Sequence, residues 1–229
     1  HNAGLSTALY SSTGSVKRLA KSWDATNGGL DPYGLDNGTA KIDRFVTDAK
    51  DNHLVNSLVA QLSAKAPTLA VAQLSALGSI GRQDGFSSPE YAAALTTTDR
   101  LVGRVAKAIA ASPELAGHTL LIVTANRGGT AKRANPTTVA SVYRVPLVVT
   151  GPGVAVGGNL YAMNPQYTDP GSTNPGYDLP SPIRNTFVAD LVTKQLALPP
   201  VPGSTMGWGQ DFTVLAPPAP PAPPAPTVP

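Results

Sequence analysis

Residues 119–129 read TLLIVTANRGG, an apolar and β-branched run that stops at a polar, glycine-rich turn. A run without polar alternation has the character of a strand covered on both faces, as in the middle of a parallel sheet. The turn at the carboxyl end of such a strand is where an open α/β sheet places its ligands.

Reading outward toward the N-terminus, Ser87-Ser88-Pro89-Glu90 is a helix start with proline in the first turn. It predicts a helix to about Ala111 with Leu95, Leu101, Val102, Val105 and Ile109 turned inward. Residues 68–74 (TLAVAQL) predict a second buried strand, followed by a glycine-rich turn from Gly78 to Gly85. Residues 51–66 place Leu54, Val55, Leu58, Val59 and Leu62 on one helical stripe, capped by Asp51 or Asn52 and stopped by Pro67. The chain opens with a short strand-like run ending at Ser12 and a brief helical turn over 16–23, and 24–43 reads as a surface loop.

Toward the C-terminus, residues 145–150 (VPLVVT) repeat the strand character and 183–198 supply a last helix. Strands alternating with helices of this length imply right-handed crossovers and a layered α/β sandwich. From Ala216 the sequence is APPAPPAPPAPTVP, which favours polyproline II and cannot build a core. The expected organisation is therefore a domain over 1–215 and a Pro/Ala-rich tail over 216–229.

Composition narrows the function classes. A chain of 229 residues with 41% hydrophobic content can enclose one substantial core. Seventeen Lys and Arg against 14 Asp and Glu give a net charge of only +3, too mild and too scattered to argue for nucleic acid. The absence of cysteine excludes disulfides, thiolate metal sites and a cysteine nucleophile. No apolar run approaches the roughly 18 residues that a membrane span needs.

Residues 74–86 (LSALGSIGRQDGF), the helix start after them, residues 123–129 (VTANRGG) and residues 145–154 (VPLVVTGPGV) follow one another in the order and spacing of the alkaline phosphatase superfamily. The opening HNAGLSTALYSS, the SWDA at 22–25 and the PIRN at 182–185 are also similar to members of its phosphodiesterase and nucleotide pyrophosphatase branch. Those proteins carry D-x-x-G-H-x-x-G-F after one strand, T-A-D-H-G-G after the next and a third histidine shortly beyond. The resemblance implies an α/β/α three-layer sandwich of alkaline-phosphatase-like type lacking its N-terminal portion. The segment bearing the nucleophile and further metal ligands is expected before His1.

In the family those aspartates and histidines hold two zinc ions that polarise a phosphoryl oxygen and activate the nucleophile. Here the first Asp and His correspond to Gly78 and Arg82, and the second pair to Asn126 and Arg127. The third histidine corresponds to Arg133, or to Lys132 in a different register. Guanidinium has no lone pair to give a cation and stays protonated, so the expected cofactor set is empty and the catalytic set is none.

Three functional readings follow. In the first, the chain is a non-catalytic family member whose arginines clamp a phosphate- or sulfate-like anion. In the second, it is a structural module that pairs with an N-terminal fragment or with copies of itself, because half of a doubly wound sheet leaves an open edge. In the third, hydrolase activity survives on an unrecognised set such as Asp84, Asp99 or the acidic residues of 31–43. Asp84 also reads as a salt-bridge partner of Arg82 or a turn residue. By resemblance alone, the protein is expected to be secreted.

Overall fold

The computed structural model describes residues 4–22, 26, 40–130, 139–173, 176, 180–201 and 211–217. Its first half is a parallel sheet of three strands in the order β2-β1-β3, with β1 at Thr7–Ser11, β2 at Arg44–Thr47 and β3 at Leu69–Gln73. A short helix, α1 (Lys17–Ser22), follows β1. Tyr10 aligns with Val46 on one side and Ala72 on the other; Leu9 aligns with Phe45 and Val71. Alternation therefore sends Ala8 and Tyr10 to one face and Leu9 to the opposite one.

Ala8 and Tyr10 form a core with Leu54 and Leu58 of helix α2 (Asp51–Lys65), joined by Val46, Leu62, Leu74 and Val105. Helix α4 (Pro89–Ala111) packs along α2 and along the short helix α3 (Ala76–Gln83). Ser88 starts α4 as expected, its side chain accepting a hydrogen bond from the Tyr91 amide at 3.1 Å.

The second half is built on an antiparallel pair, β4 (Leu121–Thr124) and β5 (Leu147–Thr150), connected through helix α5 (Ala140–Tyr143). Ile122 and Val149 stand opposite one another and pack against a core of Tyr167, Phe187, Leu191, Phe212 and Val214. Phe187 and Leu191 come from helix α7 (Phe187–Gln195), and helix α6 (Leu160–Met163) caps the end. On the other face, Leu121 and Thr150 look across a cleft of about 450 Å³ to Ala106 and Ile109 of α4. Helices thus lie on both faces of the β4–β5 pair, as a layered α/β fold requires.

Residues 211–217 close the second core. Phe212 and Val214 are buried there, the backbone of Val214 and Ala216 pairs with Gly153 and Ala155, and Leu215 bridges to Val154. Asn164 staples this strap: its side-chain nitrogen donates to the Thr213 carbonyl at 2.9 Å and its oxygen accepts from the Thr213 amide at 2.8 Å.

The structure corrects several expectations. Residues 76–83 form α3 rather than an open glycine-rich turn. β2 is a strand where no strand was expected. β3 is not a buried strand, since Ala70, Val71 and Ala72 are exposed. Leu95 is 51% exposed instead of inward. Neither Asp51 nor Asn52 caps α2, whose first residue is Asp51; Lys50 holds the cap position without a side-chain bond. β5 pairs antiparallel with β4, where a parallel strand was expected. Most of the expected loop over 24–43, both tryptophans and residues 218–229 of the tail lie outside the described residues.

Candidate functional site

The segment after β3 begins at α3, and its first turn is fixed from two sides. Asp51 accepts hydrogen bonds from the amides of Ser75 and Ala76, each at 3.1 Å, so its carboxylate caps α3 and not its own helix. Ser12, at the end of β1, accepts from the Ser75 amide at 2.8 Å and donates to the Ser75 hydroxyl at 2.9 Å. The ends of β1, β3 and α2 are thereby locked to the helix that carries Gly78 and Arg82.

On α3, Gly78 and Arg82 sit one turn apart on the same side. A Cβ built on Gly78 would stand 3.3 Å from Nη1 of Arg82, so the guanidinium folds back over the glycine. Arg82 is exposed and Asp84 forms the C-cap of α3; no ion pair joins the two. The salt-bridge reading of Asp84 is not what the structure shows.

The ring of Phe86 brings the second segment in. A Cβ on Gly81 would lie 2.5 Å from one edge of that ring, and a Cβ on Gly129 would lie 2.4 Å from the other. Both backbones approach an aromatic ring that any larger residue would displace. The turn carrying Asn126 and Arg127 is held at two more points: the Gly128 amide donates to the Val142 carbonyl at 2.7 Å, and Asn185 donates to the Asn126 carbonyl at 3.3 Å. Sequence reading used Phe86 and Asn185 only as parts of motifs and missed their roles as fasteners; it missed Asp51 as well.

The four described positions, Gly78, Arg82, Asn126 and Arg127, thus belong to two segments pinned on either side of one ring. Lys132 and Arg133 lie outside the described residues. Against models of known families, residues 5–178 match the one described as Type I phosphodiesterase / nucleotide pyrophosphatase. The chain belongs to that family. No curated protein and no solved structure matches it.

The match to the type I phosphodiesterase family spans both of these segments. Of the motif D-x-x-G-H-x-x-G-F, the chain keeps Gly81, Gly85 and Phe86, and Gly81 and Phe86 make the close contact just described. The positions that the resemblance assigns to the motif's Asp and His hold Gly78 and Arg82. A hydrogen-only side chain and a guanidinium offer a zinc ion no lone pair, and Asn126 with Arg127 adds a second cation. The donor set does not fit a divalent metal, and among the described residues no three His, Cys, Asp or Glu side chains come together. Asp99 stands exposed on α4.

Proposed function

We propose that this member of the type I phosphodiesterase family is non-catalytic and binds a phosphate- or sulfate-like anion at the positions where relatives would hold metal. The observation that carries the reading is Arg82 folded over Gly78, in a segment clamped through Phe86 to the one bearing Arg127. Two guanidinium groups held on separate, fixed segments can bind the oxygens of one tetrahedral anion by paired hydrogen bonds. They supply charge where a metal would have supplied it, but no activated water and no nucleophile.

Titration of the full chain with inorganic phosphate, followed by calorimetry, tests this reading beside zinc analysis and an assay on a generic phosphodiester. Expected are saturable binding, its loss in Arg82→Ala and Arg127→Ala, and no turnover. Unchanged affinity in both variants would overturn the anion site, and turnover with stoichiometric zinc would overturn the non-catalytic reading.

A further inference from the structure

β3 consists of Leu69-Ala70-Val71-Ala72-Gln73, and its three central residues are exposed, Val71 to 49%. One edge of the strand is in use: the Leu69 amide donates to the Ser6 carbonyl, and the Gln73 carbonyl accepts from the Ser12 amide. Backbone groups alternate along a parallel ladder, so Leu69, Val71 and Gln73 turn theirs to β1 while Ala70 and Ala72 turn theirs away from it. No described residue bonds to those outward amides and carbonyls.

The surroundings leave that edge open. Tyr10, level with Ala72 in the sheet, is fully buried with Leu54 and Leu58 of α2, yet Ala72 is exposed, so the helix covers β1 and leaves β3 bare. β3 also contains no charge and no proline, the devices that keep an edge strand from pairing.

The sequence of the edge is complementary to itself. Ala70-Val71-Ala72 reads the same in both directions. Turned about a two-fold axis through Val71, a second copy sets the partner's Ala72 opposite Ala70, where the two residues exchange amide-to-carbonyl bonds. Val71 then stands opposite the partner's Val71 as a non-hydrogen-bonded pair, with Cα atoms about 4.5 Å apart and the side chains in contact. An uncharged strand is also a place where two chains that each carry a net charge of +3 meet without repulsion.

We infer that β3 is the contact of a homodimer, in which two copies pair antiparallel about Val71 and merge their sheets into one. The order becomes β2-β1-β3 followed by the partner's β3-β1-β2. The same edge serves both copies, so the assembly closes at two. Two short strands make a small interface, and the association is therefore reversible and concentration-dependent. It is independent of the anion site.

The test follows the full chain from low to high concentration by sedimentation velocity and amide hydrogen exchange. Expected are a shift from monomer to dimer and slower exchange at Ala70 and Ala72 as concentration rises. Val71→Lys places two like charges against each other at the axis and should stay monomeric, with the fold intact by circular dichroism because Val71 is half-exposed. Val71→Glu should behave alike, and mixing the two variants should restore a dimer with one copy of each. A parent chain that stays monomeric throughout, a dimer that survives Val71→Lys, or a mixture that fails to associate overturns the pairing. If either variant does not fold, exchange in the parent chain decides alone: protection at Ala70 and Ala72 that does not change with concentration overturns the inference.

Discussion

The Arg82 guanidinium lies over Gly78 so closely that the two positions act as one unit: an added Cβ on the glycine would stand 3.3 Å from Nη1. The contact is with the far end of a flexible side chain, so the arginine can swing away. Gly78→Ala should then raise stability by about 0.5–1 kcal/mol, the usual gain of alanine over glycine inside a helix. It should weaken phosphate binding at the same time. Thermal unfolding and calorimetry on the same sample check both; a gain in stability with unchanged affinity would show that the pose of Arg82 over Gly78 is unimportant to the anion.

Phe86 meets Gly81 and Gly129 too closely for either to gain a methyl group. Gly129→Ala should therefore cost about 1–3 kcal/mol by overpacking. In a Phe86→Ala background, where the ring is gone, the same substitution should cost much less. A double-mutant cycle in urea reads the difference directly, and additive losses would mean that the ring is not what the Gly129 methyl group meets.

Asp51 closes the orphan amides of α3 from a different helix. Replacement by alanine leaves the Ser75 amide its bond to Ser12 and strands the Ala76 amide. A loss of about 1–2 kcal/mol is expected, in line with other lost caps. Asp51→Asn keeps an oxygen acceptor and should recover part of it, as measured by denaturant unfolding.

Much of the frame was legible in the sequence. The continuous run at 121–124 and the capped start at Ser88 are local signals, and the structure places β4 and α4 there. What escaped is non-local. β2 is only four residues long and falls in the short stretch between the expected loop and helix, while the glycines of α3 masked a helix whose cap comes from Asp51, 24 residues before Ser75. The burial of β3 was misjudged because an apolar strand normally has neighbours on both edges, and here one edge is open.

Asp48 offers a pH-dependent readout beside β2. Its carboxylate accepts from the Lys50 amide at 2.8 Å and stands 3.2 Å from Nδ1 of His53. The Lys50 amide first, and His53 after it, hold its pKa below the ordinary 3.8. A lowered pKa means that the folded state binds the proton less readily, so the contribution is present above pH 3.8 and fades as pH falls through the folded value. Asp48→Asn should therefore be less stable than the parent near neutrality, with the difference shrinking below pH 3.8. Unfolding midpoints measured across that range decide it, and a gap that stays constant with pH would mean that the charge on Asp48 contributes nothing.

The strap over 211–217 anchors the start of the Pro/Ala-rich stretch in the second core. Phe212 is fully buried against Phe187, with ring centres 6.4 Å apart, while Ala216 and Pro217 are exposed. Truncation after Pro217 should leave the unfolding midpoint unchanged, because every strap contact is kept. Phe212→Ala should cost about 3–5 kcal/mol, the loss expected for a buried aromatic side chain. If the two proteins unfold alike, the strap is not part of the core; if only Phe212→Ala is destabilised, the folded unit extends to about Pro217.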